Sequence, residues 1–345
     1  MNVVLIVLDG VGARWVDRDY MPTLHGWGVE GVMRPGGATS VLCSSTYPNF
    51  ASIVTGALPS EHGMFANEVV LEGVVRHASE AGPRMPTFLD GNSEVVVGDH
   101  HLVGVMGAHT AGRHWPPSGG IPDGVGLDAF GYVSDEEVTA RVVDAVERRP
   151  ELLFVQLNGP DTAAHLYGPD SDEAIGAYGS LDRCLAIIDS ALRPHWDDTL
   201  LLVTSDHDQE TVDLSKTIDL GVLAMERAIE VTVLNEGSAA VLVGPESDDS
   251  TWFEDIPGVE QTNKLGADTR LVSSQPGWWF AGAASPPLPG AHGGLRTRST
   301  VAVASGSKPA VSRLSPVLGR ARFGAEDWHE VVQSARSESA GDGFG

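Results

Sequence analysis

Six acidic or imidazole side chains stand where apolar runs end or glycines cluster: Asp9, Asp161, His165, Asp206, His207 and His292. Carboxylate oxygens and imidazole nitrogens are the donors that divalent cations such as zinc accept, and a paired site draws about six protein ligands from several chain segments. Asp161 and His165 are four apart, which puts both on one face of a helical turn. His292 lies in Pro289-Gly290-Ala291-His292-Gly293-Gly294, where glycine lets backbone approach closely. A hydroxyl is a weak nucleophile at neutral pH unless its proton is removed, and a cation can do this. Thr46, in Ser44-Ser45-Thr46-Tyr47-Pro48-Asn49, is the candidate. Pro48 suits a first helical position and Gly56 a C-terminal cap, so Thr46 is expected at a helix N-terminus, where amide donors favour phosphate.

The elements that must position these groups follow from the hydrophobic pattern. Residues 3–8, 152–157 and 200–205 are apolar runs without alternation, each ending in acidic residues, as expected of strands buried on both faces of a parallel sheet. Ligands gather at the carboxyl ends of such strands, so the three runs predict one shared cleft. Ser134-Asp135-Glu136-Glu137 reads as a capping box opening a helix to about Arg149, where Pro150 stops it. A second helix is expected over 172–192, from Ile175, Leu181, Leu185, Ile188 and Leu192. The alternation indicates an α/β layer structure. Between His207 and His292 the rhythm changes: 229–234 and 239–243 read as paired strands around Asn235-Glu236-Gly237-Ser238. The expected organisation is a catalytic core over 1–208 and 292–334, an insert or cap over 209–291 near the active site, and a flexible tail over 335–345.

Composition narrows the function. A net charge of −25 on 345 residues argues against long nucleic acid as a partner. Two cysteines, Cys43 and Cys184, are too few for a disulfide scaffold and fit a reducing compartment. The N-terminus shows neither the basic leader nor the cleavage site of a signal peptide, and its apolar run is too short to span a bilayer. The expectation is a cytoplasmic protein with no membrane association; the sequence does not fix its oligomeric state.

These residues resemble the alkaline phosphatase superfamily, specifically its nucleotide pyrophosphatase/phosphodiesterase branch. Thr46-Tyr47-Pro48-Asn49 is similar to the branch's nucleophile motif, and Thr55-Gly56-Ala57-Leu58-Pro59-Ser60-Glu61-His62-Gly63 to the segment after it. Asn67 matches its phosphate-contacting asparagine. Pro160-Asp161-Thr162-Ala163-Ala164-His165-Leu166-Tyr167-Gly168-Pro169 is the strongest local match, and Ser205-Asp206-His207 with Ala291-His292-Gly293 complete the set in family order. The resemblance implies an alkaline-phosphatase-like three-layer sandwich with a mostly parallel central sheet. It implies two divalent ions, zinc with manganese or magnesium as alternatives. One would be held by Asp9, Asp206, His207 and Thr46, the other by Asp161, His165 and His292. Thr46 would attack phosphorus to give a phosphothreonine, while Asn67 and the Tyr47 amide hold a non-bridging oxygen. The substrate would be a small phosphate ester or nucleotide.

Rival readings are a phosphomonoesterase or a phosphonoacetate-type hydrolase of the same superfamily, a metal-dependent phosphomutase, and a non-catalytic phosphate-binding protein. Arg296 and Arg298 are the arginines that would favour a monoester if they reached the site. Asp208 stands where the branch usually has glycine, adding a carboxylate near a metal. Tyr47 is read equally as a stacking platform for a leaving-group base and as core; Trp115, Phe130 and Tyr132 are candidates for the other side of such a slot. His100, His101, His109 and His114 match no motif and read as solvated or hydrogen-bonded residues. Cys43 lacks the following proline and arginine of a sulfatase site.

Overall fold

An apolar run without alternation must be covered on both faces, and the three longest such runs lie side by side at the centre of the molecule. The computed structural model describes residues 1–282 and 286–341. In chain order the strands of its two main sheets are β1 (Asn2–Leu8), β2 (Val32–Met33), β3 (Ser93–Val97), β4 (Arg113–Trp115), β5 (Leu152–Leu157), β6 (Thr199–Ser205), β7 (Thr232–Glu236), β8 (Ala239–Val243), β9 (Val259–Gly266), β10 (Thr269–Ser274) and β11 (Ala302–Gly306). The larger sheet has the order β2-β11-β6-β1-β5-β3-β4. It is parallel from β6 to β4, and β11 runs antiparallel to both its neighbours. In register, Leu8 lies between Leu157 and Ser205. The next residues of the three strands, Asp9, Asn158 and Asp206, therefore emerge at one edge.

Helices cover both faces: α1 (Pro22–Glu30), α2 (Thr46–Thr55), α3 (Asp135–Arg148), α4 (Gly159–Tyr167), α5 (Asp172–Leu192), α6 (Lys308–Leu318) and α7 (Asp327–Gly341). Leu5, Val7, Phe154 and Leu202 point to one side, against Phe50 and Ile53 of α2, Leu314 of α6 and Trp328 of α7. Ile6, Leu8, Val155 and Val203 point to the other, against Trp27 of α1, Val142 of α3 and Leu185 of α5. The result is the three-layer α/β/α sandwich anticipated from the motifs. Each fully buried Leu, Ile or Val contributes about 1.5–3 kcal/mol, so the sheet carrying the site is also the most heavily stabilised element.

α5 spans the expected residues, with Ser171 accepting the Ala174 N–H at 3.1 Å. α3 starts at Asp135, and the Ser134 hydroxyl accepts the Glu137 N–H at 3.4 Å. Only that half of the expected capping box forms, because the Ser134 N–H donates to Gly126 O instead. Within 209–291 a separate sheet has the order β7-β8-β10-β9. β7 begins at Thr232 rather than 229, and Glu236 pairs with Ala239 around a tighter turn than expected. One face of this sheet places Leu234, Val241 and Leu271 on Cys43 and Ala66; the other gathers Leu242, Val272, Phe253 and Phe280. The segments entering and leaving the region pair antiparallel, Glu210 with Ala291 and Thr211 with Gly290. The expected flexible tail is corrected in part: α7 continues through Gly341, anchored by Trp328, Val331 and Val332 in the core, and 342–345 lie outside the described residues. Among the described residues, no helix is long and apolar enough to cross a membrane.

Candidate active site

The carboxyl edge of the parallel strands brings the predicted donors together. One ligand atom each from Asp9, Asp206 and His207 lies within 4.8 Å of the others, as does one each from Asp161, His207 and His292. His207 Nε2 stands 3.6 Å from Asp9 Oδ1 and 3.3 Å from Asp206 Oδ2. His165 Nε2 is 3.6 Å from Asp161 Oδ1, and its ring centroid is 4.9 Å from that of His292. Thr46 is the first residue of α2, following Ser45 in extended conformation, and its Oγ1 lies 3.2 Å from His207 Nε2. Gly56 closes the helix in the left-handed conformation, φ 69°. Pro48 occupies the third helical position rather than the first, which its missing N–H still permits.

Each donor is held by a second polar group. The Asp206 Oδ1 accepts N–H groups from Gly10 and His207 at 3.1 and 2.8 Å. Gln156 Nε2 donates to Asp9 Oδ2 at 2.9 Å, and Gln209 Nε2 to Asp161 Oδ1. His207 Nδ1 faces the Asp208 carbonyl at 3.2 Å and His165 Nδ1 the Gly290 carbonyl at 2.9 Å. An Nδ1–H donated to a carbonyl leaves Nε2 with its lone pair turned inward, as metal-binding histidines require.

The donor set fits cations. Asp9 Oδ1 and Asp206 Oδ2 are buried and have no hydrogen-bond partner, which is costly for a carboxylate unless a positive charge compensates. Burial, followed by the charges of Asp206 and Asp161, pushes the Asp9 carboxyl well above the usual carboxylate range. Burial, and then Asp161, raises Asp206 as well. Burial and the neighbouring His207 and His165 push His292 well below its usual range, so it offers a neutral ligand nitrogen. Arg14 is spent on Asp170 and Asp208.

Asn67 lies beside Thr46. Its Oδ1 accepts the Tyr47 N–H at 2.9 Å, and its own N–H donates to Glu236 Oε1 at 2.7 Å. The Tyr47 amide is therefore engaged by Asn67, which corrects the expectation that both would face phosphate. The bond fixes the Asn67 amide so that Nδ2 is its free donor. Glu236, at the end of β7, is a residue that sequence reasoning missed. It is fully enclosed, hydrogen-bonded by Ser45 and Asn67, and burial pushes its carboxyl up to about 7.

Several expectations fall elsewhere. The Tyr47 ring is buried and its hydroxyl donates to Asp99 Oδ2 at 2.9 Å, so it serves as core rather than as a stacking face. Trp115 packs at the opposite layer under Arg141. Phe130 is exposed, 6.0 Å from the His165 ring, and the loop carrying it and Tyr132 is tied by both their N–H groups to Asp128. Asp208 turns from the donors toward Arg14 and fills the space beside Gly12. Arg296 pairs with Glu210 and Glu260, and Arg298 donates to Ser40 O; these contacts, not phosphate-facing ones, account for both arginines. Cys43 and Cys184 are free and buried.

The chain is similar to known proteins in sequence and in fold. A family model described as Type I phosphodiesterase / nucleotide pyrophosphatase matches residues 3–256. The bis(5'-adenosyl)-triphosphatase of Mus musculus is 25% identical over 235 residues, covering 64% of this chain and 49% of that protein. Ectonucleotide pyrophosphatase/phosphodiesterase family member 1 of Mus musculus is 28% identical over 189 residues, 51% of this chain and 20% of that protein. The chain thus spans about half the length of the first relative and a fifth of the second. In fold, an inactive variant of murine ectonucleotide pyrophosphatase / phosphodiesterase 5 in complex with AMP superposes with TM-score 0.75 at 17% identity, covering 98% of this chain and 95% of that one. Phosphonoacetate hydrolase from Sinorhizobium meliloti superposes with TM-score 0.73 at 20% identity, covering 97% and 96%.

Proposed function

The chain belongs to the type I phosphodiesterase / nucleotide pyrophosphatase family, and from that premise we propose that it is a two-metal phosphohydrolase cleaving a phosphodiester or phosphoanhydride of a small, nucleotide-like substrate through Thr46. The observation that carries this reading is Thr46 Oγ1 at the start of α2, 3.2 Å from His207 Nε2, against the unpartnered oxygens of Asp9 and Asp206. Asp9, Asp206, His207 and Thr46 would hold one cation, and Asp161, His165 and His292 the other. When bound, the pair would supply Lewis-acid stabilisation of the attacking and leaving oxygens. Zinc suits the mixed imidazole and carboxylate donors, with manganese or magnesium as alternatives.

The chain's own groups would do the rest. Thr46 Oγ1 gives up its proton to solvent water and forms a bond to phosphorus as the bond to the leaving oxygen breaks, leaving a phosphothreonine and a leaving oxygen that takes a proton from water. Asn67 Nδ2 donates to a non-bridging oxygen. Water then attacks phosphorus, and Thr46 Oγ1 leaves and regains a proton. Phe130, exposed beside His165, offers an apolar face to the leaving group. The relatives' names and the AMP-bound neighbour support a nucleotide-like substrate. A cytoplasmic setting rests on the two free, buried thiols.

Turnover of bis-p-nitrophenyl phosphate, compared with p-nitrophenyl phosphate and phosphonoacetate, tests the reading. A preference for the diester is expected. Cleavage of phosphonoacetate alone, or of neither ester, would overturn it.

A further inference from the structure

A second group of ligating side chains stands outside the centre just described. Asp99, His100 and His101 follow β3 at the same sheet edge, and one ligand atom from each lies within 4.8 Å of the others. The His100 and His101 ring centroids are 3.9 Å apart, and His77 stands 4.3 Å from His101. His77 turns Nδ1 to the Ser79 hydroxyl at 2.7 Å, leaving Nε2 free. His100 Nδ1 is shielded from solvent and has no hydrogen-bond partner.

From this convergence we propose a third cation site, formed by Asp99, His100 and His101 with His77 beside them, selective for an imidazole-binding divalent ion of the zinc type. Donors around a tetrahedral zinc are spaced on the order of 3.3 Å, a contraction that the partly exposed imidazoles reach by side-chain rotation. Burial lowers all three histidines, and for His77 and His100 the neighbouring His101 adds to it, so each presents a neutral nitrogen. Burial also raises the Asp99 carboxyl to about 6, a cost that a bound cation relieves. An imidazole-rich set of this kind discriminates against magnesium and calcium, which select oxygen donors.

The site communicates with the nucleophile's surroundings. Asp99 Oδ2 accepts the Tyr47 hydroxyl, and Gln156 joins the two centres: its Nε2 donates to Asp9, while its Oε1 accepts the Gly98 and Asp99 N–H groups at 2.8 and 3.0 Å. An ion on Asp99 would brace the residue that follows Thr46.

Zinc stoichiometry tests the site separately from the proposed activity. The 345-residue chain is saturated with zinc, freed of excess by gel filtration and analysed for metal per chain, alongside His100→Ala/His101→Ala and Asp161→Asn/His165→Ala variants. The expected result is about three ions in the wild type and about two in each variant, the His100/His101 change removing the third-site ion and the Asp161/His165 change one ion of the catalytic centre. Loss of an ion there in a protein that binds nothing at Asp161 and His165 would support this site and sink the two-metal reading. Equal zinc in wild type and the His100/His101 variant would overturn the third site whatever the catalytic centre holds. Circular dichroism confirms folding, and the single His101→Gln variant carries the same comparison should the double variant unfold.

Discussion

Replacing Glu236 with Gln removes one charge from the floor of the site while keeping its shape. The carboxyl is enclosed and hydrogen-bonded by Ser45 and Asn67, and burial, which disfavours its charged form, pushes it up to about 7 from 4.5. The displacement corresponds to about 3 kcal/mol. The native state holds this proton more tightly than the unfolded chain does, so the associated stability is complete below about pH 4.5 and is lost as pH rises through about 7. A Gln at this position has no proton to lose. Its Oε1 still accepts the Asn67 N–H, and its Nε2 donates to the Ser45 hydroxyl.

Urea unfolding followed by tryptophan fluorescence at pH 4.5 and pH 8.5, with metal content held constant, measures the difference. Wild type is expected to lose about 3 kcal/mol more than Glu236→Gln across that interval, with turnover of the Gln variant within about threefold of wild type, because Asn67 stays in place. Glu236→Ala, which releases the Asn67 N–H, should lose turnover without reproducing the stability gain. Parallel pH profiles for wild type and Glu236→Gln would refute the assignment of a buried, charge-opposing carboxyl.

Thr46→Ala should lower kcat by on the order of 10⁴-fold or more while leaving zinc content nearly intact; retained turnover would remove the nucleophile. Asn67→Asp keeps an acceptor for the Tyr47 N–H but loses the Nδ2 donor, and kcat should fall about 10²- to 10³-fold with KM less affected; a variant within a few-fold of wild type would show that Nδ2 does not meet the phosphate. A Cβ on Gly12 would stand 2.2 Å from the Asp208 carboxyl carbon, so Gly12→Ala should lower unfolding free energy by about 1–3 kcal/mol in urea. Gly26, in α1 with nothing near its Cβ position, is the contrasting case: Gly26→Ala should raise it by about 0.5–1 kcal/mol.

The parts of this site legible in the sequence are those whose signals are local. A continuous apolar run ending in Asp9 or Asp206 already states a two-faced strand and what stands at its end, and parallel pairing of β6, β1 and β5 brings those ends together. Thr46 is marked by the helix that Gly56 closes. Tyr47 was not legible, because the direction of its ring depends on Asp99, 52 residues away. Glu236 carries no local mark at all: its role arises only when β7 packs over Cys43 and Ala66. Gln156 did carry one. A polar residue at a fully buried position of an otherwise apolar strand has to be hydrogen-bonded, and its two ends find Asp9 and the Asp99 turn. His100 and His101 match no motif in the sequence, and their neighbour His77 comes from another part of the chain, delivered by a hairpin of Glu68–Leu71 with Val74–His77.

The arginines bear on substrate charge. A phosphomonoester carries a second negative charge that a diester lacks, and a site built for it needs a further cation or donor fork near phosphorus. Arg296 would be the nearest source in sequence to His292, yet its guanidinium is shared between Glu210, Glu260 and the Ser274 carbonyl. Hydrogen bonds to charged groups are worth about 1.5–3 kcal/mol each, and swinging Arg296 toward the donors would break several at once and leave Glu210 without its partner. Glu210 also pairs with Ala291, next to His292, so the same movement would disturb a proposed metal ligand. Arg298 is held by two bonds to Ser40 O. With both guanidiniums committed, an anion in the proposed site would face one Asn67 donor and the proposed cations, a complement matched to the single charge of a diester.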